Sequence, residues 1–150
     1  LQETLMLATP APASRLLSDL SYEVLWEVAS SRLSLGLSVV VDSPLSRRAH
    51  LDRLIKLAAK TNARLVVVEC KPQDVGEWHR RLELRGAADG SSWHKPNTWQ
   101  EMENLLDGYA GCWDYDVGEV PKLVLDTTAD LGIEGLVSSA LEFVKSNVEY

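Results

Sequence analysis

The chain has 150 residues, 45% of them hydrophobic and 25% charged, with a formal charge of −7. That size supports one domain with a core of its own, here taken as residues 1–150. The excess of 22 acidic over 15 basic residues excludes a general nucleic-acid surface, and no apolar run approaches the length of a membrane span.

Residues 1–14 place Pro10 and Pro12 among small residues and read as a short helical or irregular segment followed by a loop. The chain begins at Leu1 rather than Met, which we read as the loss of an upstream piece. Its opening has small residues but no basic stretch ahead of an apolar run, so it is not read as a signal peptide. Across residues 14–35, Leu16, Leu17, Leu20, Val24, Leu25, Val28, Ala29 and Leu33 fall at helical spacing, with Ser14 or Ser18 as N-cap and Gly36 as the stop. The β-branched run that follows, Val39 to Val41 ending at Asp42, predicts a strand over 38–42 buried on both faces of a parallel sheet.

Asp42, Ser43 and Pro44 turn the chain, and Ser46 is expected to cap a helix reaching Lys60. A second buried strand is predicted over 64–70. Its last residue, Cys70, reads as a buried small hydrophobe. Pro72 opens a helix over 73–85. Thr98 caps the next helix, 98–109, with Glu101 at the third position of a capping box. An irregular stretch over 108–121 leads to a third strand, 122–126, and a final helix over 133–144. Strands alternating with helices predict an α/β domain, a three-layer sandwich with a mostly parallel sheet. In such sheets ligands bind beyond the carboxyl ends of the strands, which is where Asp42, Glu69 with Cys70, and Asp126 project.

Positive charge is scarce, yet it gathers within residues 78–99. Arg81 and Arg85 stand one helical turn apart on the 73–85 helix. Arg80 and His79 flank them, and His94 with Lys95 follows a loop. Guanidinium groups bind phosphate oxygens in pairs, so a nucleotide phosphate is the natural ligand. The plain alternative is a solvated helix face, with Arg81 and Arg85 paired to Glu77, Glu83 or Asp89. Asp42 at a strand end could hold Mg²⁺ through water or orient a hydroxyl; as a plain helix-capping residue it would look the same. Arg47 and Arg48 oppose the dipole of the helix they open, which an anion would relieve. Thr127 makes a turn and could lie near a base. Cys70 and Cys112 lack CxxC spacing and fit a reducing, cytoplasmic compartment. Nor do Cys70, His79, His94 and Cys112 have the spacing of a zinc site.

Over residues 15–145 the succession VVVDSPLSRR, a strand ending Glu-Cys, RRLELR, HKPNTW, YAG and LVLDTT resembles the zeta-toxin and polynucleotide-kinase-like branch of P-loop kinases. It is similar in particular to plant members described as P-loop nucleoside triphosphate hydrolases. The resemblance implies a P-loop NTPase-like fold and an ATP- and Mg²⁺-dependent kinase or NTPase. In it, residues 78–99 form a lid whose Arg81 and Arg85 clamp ATP phosphates, with Arg80, His94, Lys95 and Thr127 as further nucleotide contacts. Asp42 would serve magnesium and the phosphoryl acceptor, a small molecule or nucleotide. The sequence departs from that family in having no G-x-x-x-x-G-K-[ST] loop. The family places this loop and its strand ahead of the residues present here, so the first strand and P-loop are expected to be absent and the chain alone inactive. Strands 38–42 and 64–69 would then pair directly or leave a loosened sheet. A second reading is a non-catalytic α/β interaction module presenting Trp93, Trp99, Trp113 and Tyr115. A third, a flavodoxin- or receiver-like domain, fits the alternation but lacks the acidic cluster after a first strand.

Overall fold

The computed structural model describes residues 11–89, 96–112 and 114–148. In chain order these form α1 (Ala11–Ser34), α2 (Arg48–Thr61), β1 (Val67–Lys71), α3 (Val75–Asp89), α4 (Trp99–Tyr109), β2 (Lys122–Asp126) and α5 (Gly132–Val148). The fold is mixed α/β, with a two-stranded parallel sheet among the described residues. None of the described helices is long and apolar enough to cross a membrane. The chain divides into two compact units. One ends at Pro44 and takes in Leu54–Ala63; the other holds Leu45–Arg53 and resumes at Arg64.

In the first unit, α1 turns Trp26 and Ala29 inward, 4% and 2% exposed. It ends where expected. Gly36 adopts φ +74, its N–H donates to Leu33 O, and the Leu37 N–H reaches back to Arg32 O. This paired closure needs a left-handed residue, which glycine supplies without a Cβ clash. α2 closes the same way on Asn62 at φ +52, with Ala63 N–H donating to Ala58 O.

The strand predicted over 38–42 is not formed. Residues 37–42 run outside any ladder, and Val40 is 95% exposed. A β-branched run fits a pleated surface but becomes a strand only when a neighbour accepts its backbone bonds and covers its side chains. β1 pairs with β2 instead, in register from Val67 opposite Lys122 to Lys71 opposite Asp126. Of the three predicted strands, 122–126 is found at its predicted bounds and 64–70 begins later, at Val67.

Nor is the sheet buried on both faces. Val68 shares a face with Leu123, and Val124 shares the other with Glu69. Val68 is 36% and Val124 46% exposed, so each face shows a valine to solvent. Cys70, expected in the core, is exposed, as is Cys112. Two strands offer too little surface to be covered on both sides.

Candidate functional site

Both strands end at one rim, where the Lys71 carbonyl takes the Thr127 N–H at 3.1 Å. Asp126 folds back over this end. Its Oδ1 accepts the Thr128 N–H at 2.9 Å and the Thr128 hydroxyl at 2.5 Å, a local turn for which Asp is suited. It also takes the Gln73 N–H at 3.1 Å. The Thr128 oxygen in turn accepts the amides of Gln73 and Asp74 at 3.0 and 2.9 Å. The Thr128 hydroxyl, then its amide, hold the Asp126 carboxyl below the usual carboxylate range. This clasp fixes the loop between β1 and α3 against the end of β2.

α3 starts from that clasp. Asp74 caps it, its Oδ1 taking the Glu77 N–H at 2.9 Å. Helical spacing then lays Arg80 and Arg81 over the carboxylate of Glu77. Arg80 grips Glu77 through Nε and Nη2, both at 2.7 Å. Arg81 Nε donates to Glu77 Oε1 at 2.6 Å, and its Nη1 donates to the Thr127 carbonyl at 2.6 Å. The Arg80 guanidinium, then that of Arg81, draws Glu77 down to about 2. Arg85, a turn further on, donates from Nη2 to the Pro96 carbonyl at 2.9 Å.

α3 and α4 form a tightly tied pair. A Cβ on Gly86 would lie 2.0 Å from the Asn97 carbonyl oxygen, so only glycine admits this approach. Glu83 Oε1 accepts the Trp99 N–H at 2.9 Å at the start of α4. The Trp99 ring stacks on His79 at 4.8 Å and meets Trp78 edge-on at 5.2 Å. The Thr98 cap forms as expected, its hydroxyl accepting from Glu101 N–H at 3.3 Å. The returning carboxylate of Glu101 bonds the Asn97 N–H at 2.7 Å.

Arg80, Arg81 and Thr127 are thus brought together at the rim, with Arg85 beyond them on the same helix. Asp42 lies in the first unit, exposed, at the end of the 37–42 segment. His94, Lys95, Trp93 and Trp113 fall outside the described residues. Of the other two aromatic candidates, Trp99 is engaged as above, and the Tyr115 hydroxyl donates to the Leu45 carbonyl at 2.6 Å. Leu45 adopts φ +46, an uncommon conformation for a branched side chain, and this bond holds it there. Arg48 is taken up by Asp52 at 2.8 Å and by the Asp116 carbonyl. The turn at Asp126, Thr127 and Thr128 is legible in the sequence, but two features of it are not: its grip on the amides of Gln73 and Asp74, and the Thr127 carbonyl as acceptor for Arg81.

Chemically, each guanidinium has five N–H donors, and Arg80 and Arg81 commit two apiece to these partners. The remaining donors suit phosphate oxygens. For a divalent cation the described residues offer no cluster of three or more His, Cys, Asp or Glu. Asp42 alone fits Mg²⁺ only in the mode where phosphates and water supply the other ligands.

Among protein families, the model of the AAA domain matches residues 5–107, more than half of the chain. β2 and α5 lie beyond the match. No curated protein and no solved structure gives a match.

Proposed function

We propose a function from one premise: this chain belongs to the AAA domain family. The family carries a P-loop NTPase-like, nucleotide-binding kinase or NTPase character. Within it we assign the chain to the zeta-toxin and polynucleotide-kinase-like branch, with ATP as phosphoryl donor and a hydroxyl-bearing small molecule or nucleotide as acceptor. One observation carries this reading: Arg81 is anchored to the carbonyl of Thr127 at 2.6 Å, directly after β2. Its charge therefore sits at the carboxyl ends of parallel strands, where open α/β sheets take their ligands.

In this role Arg81 and Arg80 meet the phosphate chain and offset charge as it develops on the transferred group. Arg85 is assigned to the same role, as are His94 and Lys95 on the resemblance alone. Asp42, in the first unit, would offer its carboxylate to Mg²⁺ or to an acceptor hydroxyl, and the ion when bound would offset phosphate charge. Thr127 lies beside the nucleotide. The reducing cytoplasm is the compartment we assign. The 150 residues contain no G-x-x-x-x-G-K-[ST], so the backbone cradle and its lysine are not among these groups. Phosphoryl transfer by these residues alone is not expected.

The test is an amide-NMR titration of the chain with ATP, with and without Mg²⁺. Shifts are expected at residues 71–81 and 126–128, and Arg81→Ala should weaken binding by about tenfold to a hundredfold, the worth of a hydrogen bond to a charged group. Shifts confined elsewhere, or an Arg81→Ala variant that binds as the native chain does, would overturn the reading.

A further inference from the structure

Two guanidinium groups at the rim share one carboxylate. Glu77 presents both oxygens to Arg80 and lends one of them to Arg81, an arrangement that copies the fork by which arginine holds a phosphate. We infer that Glu77 is a resident counter-ion that stands in for a phosphate group on the Arg80–Arg81 pair. Only a ligand bearing several adjacent negative charges, a di- or triphosphate chain, displaces it. This rests on the assignment of Arg80 and Arg81 as phosphate-binding groups.

Three features carry the inference. The backbone of Glu77 is held independently of the arginines, because its amide is capped by Asp74 at 2.9 Å; only its side chain has to turn away and return. Being three and four residues from its partners, it acts at a high effective concentration, which an anion of equal charge in solution does not match. A polyphosphate brings more charge than the carboxylate and can engage both guanidinium groups while using donors that Glu77 leaves open. Arg81 meanwhile keeps its place, because the Thr127 carbonyl is a second and neutral acceptor. Glu77, drawn to about 2, stays ionised at neutral pH, so a competing anion rather than a proton releases the pair. Glu77 would thereby screen the site against single-charge anions.

The experiment is calorimetric titration of the full chain with sodium tripolyphosphate and with acetate, for the native protein, Glu77→Gln, Glu77→Ala and Arg81→Ala. Circular dichroism checks helix content in each. Both Glu77 variants should bind tripolyphosphate about 1.5-fold to fivefold tighter, the range expected for removing an exposed competing ion pair. Acetate binding should be detectable only in those variants. If the Glu77 variants bind no tighter while Arg81→Ala weakens tripolyphosphate, the counter-ion role fails and the phosphate-site assignment stands. If Arg81→Ala binds as the native chain does, or if no variant binds, both fail.

Discussion

Glu77 makes the acid response of α3 predictable from one side chain. Its carboxyl is drawn from 4.5 to about 2 by Arg80 and Arg81. A group whose folded value is depressed contributes stability that is complete above its unfolded value and is lost as pH falls through the folded one. The link should therefore hold fully above about pH 4.5 and fade towards pH 2. Thermal melts across that window are expected to fall more steeply for the native chain than for Glu77→Gln, and to converge at the acid end. Parallel curves would show that the pairing contributes nothing. The carboxylate–arginine pairing was legible beforehand, because residues three and four apart on a helix must meet. The second hand of Arg81, on the Thr127 carbonyl, was not. A backbone acceptor 46 residues away has no sequence signature.

At the level of elements, the close pass of Gly86 under Asn97 offers a test whose sign decides. In an open helix, Gly→Ala stabilises by about 1 kcal/mol. Here the added methyl would lie 2.0 Å from the Asn97 carbonyl oxygen, so the 96–98 backbone must retreat. Gly86→Ala should cost about 1–3 kcal/mol in urea unfolding, as overpacking does, and should change the fluorescence of Trp78 and Trp99. A gain in stability would mean that α3 and α4 do not approach this closely. Three helix ends were legible, whereas the N-cap expected at Ser14 or Ser18 falls inside α1, which starts at Ala11. Gly36, Asn62 and Thr98 act through their own neighbours in the chain, so composition is enough to find them. The predicted strand at 38–42 failed for the opposite reason. Its apolar run was read correctly, but a strand is defined by a partner, and the pairing of β1 with β2 spans 55 positions. The parallel orientation itself followed from the helices that separate the strands.

Across the whole molecule, stability should be distributed unevenly. The buried hydrophobic positions among the described residues are Trp26, Ala29, Leu51, Ala58 and Leu82. Leu51, in the second unit, is 0% exposed, and Leu51→Ala should cost about 2–5 kcal/mol. Val40, in the first, is 95% exposed, and Val40→Thr should stay within about 0.5 kcal/mol of the native chain. Urea denaturation of the two variants checks both values, and a comparable loss at Val40 would show that residues 37–42 pack after all. The tie between α3 and α4 has a mechanical corollary. With Gly86 seated on Asn97 and Trp99 bonded to Glu83, a displacement of either helix would have to break these contacts or carry the other helix with it. Their shared root is the Thr128 oxygen that holds the amides of Gln73 and Asp74, with Asp126 taking the Gln73 amide as well, so the footing of the guanidinium groups rests on two neighbouring side chains.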